Sequence, residues 1–484
     1  MSARRLTDSE REFLADLADV VFGNPFSRQR TELIARLAPG TPHGYLPAHR
    51  EALARIVATR LGPLLQGAQP LNAEDRAFLE PAMLYVCYHR YVPQLDSLIE
   101  RQAKGGTSLP VPFGEEAIAA LVRNGFAEER AERFFSFFFQ LRRAFFFILD
   151  GLAGECDSMR RLREALWNNV FTHDMRGYEA ALWSRMEDFS TLLLGETGTG
   201  KGQAAAAIGR SEYIPYQAAQ RRFAASFAET FIAINLSQYP ETLIESELFG
   251  HRKGAFTGAI DHHDGVFARC SAHGALFLDE IGEVSIPVQI KLLQVLQERS
   301  FTPLGGHAKQ RFSGRLIAAT NRPLGEMRRE GRFRDDFYYR LCSDVIEVPS
   351  LRQRLAESPR ELELLVTLLV ARICGSDYID RVLAALERDL PHGYEWPGNV
   401  RELEQAVRSI VLTGHYKPPM PDTAIDPDTL YIERMRRGEL TASEVLRAYS
   451  RMLYRRLGTY SDVAKRTGLD PRTSRKYIED ARSG

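Results

Sequence analysis

The spacing of apolar positions changes character along this chain, and the changes outline its parts. Through residue 153 the pattern is helical. Thr7-x-x-Glu10 forms a capping box ahead of Phe13, Leu14, Leu17, Val20 and Val21. Further helices are predicted from Asn72 through Tyr91, from Gly114 to Arg123 and, rich in phenylalanine, from Ala127 to Leu149. Alternating strands are absent from this stretch. Short apolar runs then appear at Thr191–Leu194, Phe231–Asn235, Ala275–Asp279, Arg315–Thr320 and Val345–Val348, separated by helical patterns. That alternation is the signature of an α/β fold whose parallel sheet is covered on both faces. Helical spacing returns from Leu351 to Thr413, as a lid would show. Pro418, Pro419, Pro421 and Pro427 mark a linker, and the tail reads as a small helical unit. The predicted organisation is an all-α regulatory domain over 1–155, an α/β domain over 156–415 with a lid at about 351–415, a linker over 416–430 and a tail domain over 431–484.

Composition adds exclusions. The 484 residues exceed one domain, and 63 basic residues balance 63 acidic ones, so no global charge points to a partner. Five scattered cysteines without CxxC spacing point to a reducing cytoplasm and no structural zinc. The N-terminus lacks the apolar core of a signal peptide. Phe134–Leu149 is the one membrane-like stretch. It is too short to span a bilayer and carries Gln140, Arg142 and Arg143 in its middle, so it reads as a buried helix and no membrane contact is expected. His262 and His263 lack cysteine partners and read as part of a solvated loop.

The candidate chemistry centres on Gly195-Glu196-Thr197-Gly198-Thr199-Gly200-Lys201-Gly202, which follows an apolar strand and opens an alanine-rich helix. Glycines let backbone N–H groups turn toward a phosphate, the helix N-terminus adds partial positive charge, and Lys201 reaches the β- and γ-phosphates. Gly202 departs from the generic pattern, which places a magnesium-binding Ser or Thr there. Ala275–Asp279 followed by Glu280 is an apolar strand ending in two carboxylates. A nucleotide hydrolase needs one acid for the Mg2+ shell, here Asp279, and one to polarise the attacking water, here Glu280. Gly254-Ala255-Phe256-Thr257-Gly258-Ala259 is a glycine-hinged loop that presents an apolar tip, as a partner contact does.

From about Trp167 to Gly414 the chain resembles the AAA+ ATPase domain of bacterial enhancer-binding proteins, the activators of sigma-54 RNA polymerase. The matching strings lie in order at 195–201, 245–251, 254–259, 276–283, 318–322, 333–341 and 396–403. The resemblance implies an AAA+ P-loop core with a helical lid, ATP and Mg2+ as cofactors, and a homo-oligomeric ring, by analogy a hexamer. It implies that Asn235 is the switch residue that hydrogen-bonds the catalytic Glu280, that Asn321 and Arg401 are the two sensors, and that Arg334 and Arg340 reach the neighbouring subunit's nucleotide. A guanidinium supplied in trans stabilises charge developing on the transferring phosphoryl group. Phe256 and Thr257 would contact sigma-54 in the polymerase holoenzyme. Glu is common in this family at the position of Gly202. The connection from Arg210 to Glu229 is longer than usual, and Ser350–Arg354 matches only loosely.

In the tail, Ser461 is expected to cap a helix over Asp462–Thr467 that stops at Gly468, with Pro471 opening a second helix to about Asp480. Such a pair makes a helix-turn-helix. Arg472, Thr473, Arg475 and Lys476 on the second helix are placed for a major groove in upstream promoter DNA. Residues 431–484 carry 13 Lys/Arg against 7 Asp/Glu, a basic unit in a neutral protein. The expected function is an ATP-dependent transcriptional activator that remodels sigma-54 polymerase into the open complex. The alternatives are a DNA-binding repressor with weakened ATPase and a AAA+ remodelling protein with a protein-binding tail.

Overall fold

The computed structural model of the protein describes residues 5–39, 53–57, 59–60, 62, 72–418, 427–436, 438 and 440–479. The capping box forms: Thr7 Oγ1 accepts from Glu10 N at 3.2 Å, and the Glu10 carboxylate accepts from Thr7 N at 2.9 Å. It starts α1 (Asp8–Phe22), and α2 (Arg28–Leu37) comes after it. The helix predicted to end at Tyr91 runs on as α3 (Ala73–Gln102), because Leu95, Leu98 and Ile99 continue the buried stripe. α4 (Gly114–Arg123) and α5 (Glu128–Phe145) come next. α5 passes into a π-helical turn, Phe146–Asp150, which leads to α6 (Asp157–Phe171).

Five strands form one parallel sheet: β1 (Thr191–Leu194), β2 (Phe231–Asn235), β3 (Ala275–Asp279), β4 (Arg315–Thr320) and β5 (Asp344–Glu347). Their order is β2-β3-β4-β1-β5. Strand β5 begins one residue earlier than its apolar run suggests. Asn235 pairs in register with Asp279, so the C-terminal ends of β2 and β3 lie side by side.

Successive residues of these strands enter two different cores, because side chains alternate across a sheet. Leu192, Ile234, Leu276, Leu278, Leu316 and Ala318 pack on one face with α8 (Ile286–Glu298) and α9 (Asp335–Leu341), which come after β3 and β4 in the chain. Leu193, Phe277, Ile317, Ala319 and Ile346 pack on the other. That second core takes in α7 (Lys201–Gly209) and also Phe135, Phe138 and Phe139 of α5 and Leu166 and Trp167 of α6. The expected domain boundary near residue 155 therefore falls inside a continuous core. The described residues through Tyr416 form one compact unit.

The two arginines in the middle of the phenylalanine-rich helix find acceptors, Arg142 in Asp96 and Arg143 in backbone carbonyls, while Arg143 Nε has none. Arg143 is fully buried, donates to the carbonyls of Arg210 and Glu212 at 2.7 Å each, and lies 4.4 Å from the Phe139 ring. Burial brings its pKa down to about 9. No described helix is long and apolar enough to cross a membrane. The long connection after α7 serves the same core: Tyr216–Gln217 and Arg222–Phe223 pair as a small antiparallel ladder, and Phe223 stacks on Phe139 with ring centres 3.9 Å apart.

The lid comprises α10 (Leu351–Glu357), α11 (Arg360–Ile373), α12 (Ile379–Asp389) and α13 (Asn399–Thr413) around Leu351, Val366, Val382, Trp396 and Leu403.

A second compact unit begins at Lys417. Residues 419–426 of the expected linker lie outside the described residues. Among the described residues the unit contains a helix over Pro427–Arg436 and then three mutually packed helices, where the sequence marked two: α14 (Ala442–Leu457), α15 (Tyr460–Thr467) and α16 (Pro471–Glu479). Thr441 and Glu444 form a second capping box at α14. Thr459, not Ser461, caps α15, since its Oγ1 accepts from Asp462 N at 3.2 Å. α15 ends at Gly468, whose φ of 74° closes the helix in the left-handed region.

Candidate nucleotide site

The loop between β1 and α7 turns through three glycines with positive φ, Gly195, Gly198 and Gly200. Gly198 is needed for a second reason: a Cβ there would lie 2.2 Å from the Gly398 carbonyl oxygen and 2.9 Å from the Arg401 Cβ. The lid rests directly on the loop. Arg401 N donates to Gly198 O at 3.3 Å, so the second expected sensor stands at the loop.

Lys201 is almost completely buried. Its ammonium donates to the carbonyls of Gly195 and Glu196 at 2.8 and 3.0 Å. Burial lowers its pKa, while the carboxylates of Glu280 and Asp279 act in the opposite direction. The same three groups appear from the acidic side. Burial raises the Asp279 pKa against the charge of Lys201. Burial also raises that of Glu280, Asp279 adds to the rise, and Lys201 opposes it. One cation and two carboxylates thus lie within electrostatic reach of one another at the C-terminal edge of the sheet, each shifted first by burial.

Glu280 is held in an unusual way. Its φ of 58° and ψ of 47° are left-handed, which is costly for a residue with a Cβ. Its Oε2 is buried without a hydrogen-bond partner, and the Asn321 backbone N–H acts to lower its pKa against burial. Asn235 lies beside Asp279 instead of Glu280: its Nδ2 is 3.5 Å from Asp279 Oδ2, and its Oδ1 accepts from Ser237 N at 3.0 Å. Parallel register explains this difference from the expected Asn235–Glu280 bond, because Asn235 is paired with Asp279.

The first expected sensor, Asn321, donates to Thr197 Oγ1 at 2.7 Å, and Thr199 Oγ1 donates to Glu196 O at 2.9 Å. Gly202 is exposed and offers no hydroxyl, yet an added Cβ would meet only the Phe277 ring edge, at 3.9 Å.

Two contributors lie outside the residues expected from sequence. Asn399 is fully buried with φ of 55°; its Nδ2 donates to Glu196 Oε2 and Thr197 O at 3.1 Å each, and its Oδ1 accepts from Leu351 N at 2.7 Å. Arg352 forms a two-pronged ion pair with the Glu196 carboxylate. Asn399 stands inside the Trp-Pro-Gly-Asn-Val-Arg string, so its motif was visible; Arg352 lies in the loosely matching segment, where no spacing rule marks it.

Arg334 and Arg340 lie away from this loop. Arg334 pairs with Asp336 at 2.7 Å, and Arg340 donates to Leu296 O at 2.9 Å. The Gly254–Ala259 loop is anchored at its base, where His251 and His263 exchange backbone hydrogen bonds at 3.0 Å. Within it, Gly254 N donates to Ala259 O at 2.8 Å, Ala255 is half-buried and Ala259 is buried. Phe256 and Thr257 are exposed at the tip between Gly254 and Gly258, whose added Cβ atoms would meet nothing. His262 is engaged by Asp264 at 2.8 Å, and no metal-holding group of His, Cys, Asp and Glu occurs among the described residues.

In the second unit, Arg472, Arg475 and Lys476 are exposed along α16 and Thr473 is half-buried. Asp470 caps the helix through Arg472 N and Thr473 N at 2.9 and 3.1 Å, and Arg475 pairs with Glu479 at 2.9 Å.

Residues 175–347 match the family described as the Sigma-54 interaction domain. The chain is 41% identical over 229 residues to the Nif-specific regulatory protein of Azotobacter vinelandii, covering 46% of this chain and 40% of that protein. It is 40% identical over 223 residues to the DNA-binding transcriptional regulator NtrC of Azospirillum brasilense, covering 46% and 43%. The chain thus spans less than half the length of these curated relatives. Among solved structures, NtrX from Brucella abortus in complex with ATP is 21% identical, with 76% of this chain and 80% of that chain covered, at a TM-score of 0.40.

Proposed function

We propose, from the match of residues 175–347 to the sigma-54 interaction domain, that the protein is an ATP-dependent transcriptional activator acting on the sigma-54 RNA polymerase holoenzyme. The observation that carries the reading is the buried Lys201 of the glycine loop, covered by the lid and within electrostatic reach of Asp279 and Glu280 at the end of β3, in one unit with an exposed Phe256–Thr257 tip.

In this reading the inward N–H groups of residues 195–202 and the Lys201 ammonium hold the phosphates of ATP. Mg2+ suits the donors: Asp279 offers a carboxylate, and Gly202 leaves the remaining positions to phosphate oxygens and water, the shell this ion favours. When bound, the ion neutralises charge on the transferring phosphoryl group. Glu280, its Oε2 unpartnered, accepts a hydrogen bond from the attacking water and takes its proton. Asn235 holds Asp279 and senses its state. Asn321 and Arg401 report nucleotide through Thr197 and the lid.

Among the described residues Arg334 pairs with Asp336 and Arg340 with the Leu296 carbonyl, and a neighbouring subunit in a ring, by analogy a hexamer, is the site they would complete. α16 would read upstream promoter DNA through Arg472, Thr473, Arg475 and Lys476. The segments divide the work accordingly: regulation by the helices of 1–155, which share a core with the sheet, hydrolysis by 156–415, and DNA binding by 431–484, acting in the cytoplasm.

Thr257→Ala tests the coupling. ATP turnover is expected to stay within about twofold of wild type, while permanganate footprinting at a sigma-54 promoter detects no open complex. Normal promoter melting by this variant rules out the loop as the coupling element.

A further inference from the structure

A cavity of about 510 Å³ opens among the N-terminal helices, apart from the nucleotide site. Phe138 and Leu141 of α5, Phe145 at its end and Trp167 of α6 wall it, and Arg30, Arg142, Asp150 and Glu179 supply charge, Arg142 being paired with Asp96. Well-packed interiors hold few voids larger than a water molecule. Small-molecule sites occupy roughly 300–1,000 Å³ and combine an apolar, aromatic wall with a few polar groups that fix orientation. The cavity has that size and that mixture. Burial lifts the Asp150 carboxyl above its ordinary range, with the Arg142 charge opposing.

The segment after Asp150 links this wall to the nucleotide site. Asp150 ends the π-helical turn, a distortion frequently found at functional sites. Three residues on, Ala153 O accepts from Arg354 Nη2 at 2.7 Å. Glu361 accepts from Cys156 N at 2.9 Å, and Glu357 accepts from Ser158 N at 2.6 Å. Arg354 and Glu361 pair at 2.7 Å, both nearly inaccessible to solvent. A Cβ on Gly154 would lie 2.5 Å from Arg354 Nη2, so the segment fits against the lid without slack. The same helix α10 carries Arg352, which grips Glu196 of the phosphate loop, and Leu351, which is tied to Asn399.

We infer that the cavity binds a small, mainly apolar aromatic compound bearing one polar or ionisable group, and that binding is transmitted through residues 150–158 to the lid and the phosphate loop. The transmission half rests on the nucleotide-site reading above; the binding half does not. Coupling of this kind is reciprocal, so the compound and nucleotide alter each other's affinity by the same factor.

The test uses the full chain and 8-anilinonaphthalene-1-sulfonate, an aromatic probe with one anionic group. Saturable binding of one equivalent is expected, with energy transfer from Trp167. Leu141→Trp fills the cavity and should weaken binding at least tenfold; Val21→Trp, from another part of the lining, serves if that variant does not fold. Saturating probe should shift the affinity for a fluorescent ATP analogue at least threefold in wild type. In Glu361→Gln that shift should vanish while probe affinity is retained. Equal probe binding by wild type and the filled variant overturns the site. Cavity binding without any change in nucleotide affinity overturns the transmission. Probe binding by a chain that takes up no nucleotide counts against the nucleotide-site reading and leaves the cavity supported.

Discussion

The two faces of the central sheet are built from alternate residues of the same strands, yet they are covered differently. On the face of Leu192, Leu276 and Leu278 the cover is α8 and α9, which come after β3 and β4 in sequence. On the face of Leu193, Phe277 and Ala319 much of the cover arrives from far upstream, in α5 and α6. The first face is the self-contained layer of an α/β domain. The second makes the N-terminal helices part of the α/β unit's own core. The contrast predicts that chemistry and stability separate in this molecule: the site can fail with the fold intact, and the N-terminal helices cannot be altered without cost to the sheet.

Glu280→Gln gives the largest effect. Turnover is expected to fall about 10²- to 10⁴-fold, the usual worth of a positioned base, with nucleotide binding and melting temperature nearly unchanged. Because burial and Asp279 raise the Glu280 pKa, its ionised form is lost earlier as the pH falls. The acid limb of the wild-type rate profile should therefore lie above the ~4.3 of an ordinary glutamate.

Phe139→Ala probes the other face. Its ring is 2% exposed and stacked on Phe223, so urea unfolding should register a loss of about 3–5 kcal/mol. A loss under about 1 kcal/mol would mean the helices are a detachable cover, and the contrast would collapse.

The joint between the N-terminal helices and the lid has a pH signature. At Glu361, burial works to raise the pKa, but the Glu155 N–H and Arg354 outweigh it, and the net shift is downward. Its stabilisation is present above the unfolded-state pKa and is lost as pH falls through the lower folded value. Wild type should therefore lose stability more steeply below about pH 4.3 than Glu361→Gln, while the variant itself loses roughly 1–3 kcal/mol at neutral pH.

Gly202→Thr is the mildest change. The position is open and its backbone is not left-handed, so stability should stay within about ±0.5 kcal/mol. The added hydroxyl should lower the Mg2+ concentration that half-saturates ATP turnover.

Much of the α/β unit was legible in the sequence because its determinants are local. Four of the five strands are bounded as the apolar runs suggest, and the glycines of the loop are dictated by backbone geometry at their own positions. Partnership is the part that escapes. An apolar helix such as α5 announces burial but not against what, and Phe139 finds Phe223 across more than eighty intervening residues. The long connection after Arg210 reads as an irregularity near the nucleotide and is in fact that helix's counterpart. Resemblance pairs Asn235 with Glu280, whereas strand register sets it beside Asp279. In the tail, the turn chemistry around Gly468 marks only the last two helices, and α14 lies upstream of that signal.

Glu280 also carries an evolutionary implication. At φ 58° the chain keeps Glu280 in a conformation that glycine tolerates far better than glutamate, so local comfort is set against the proposed role as base at one residue. Glu280→Gly relieves the backbone and abolishes the carboxylate in a single step, yielding a protein that is inert and no less stable. Selection for folding alone would favour that exchange, and only selection for turnover retains the acid.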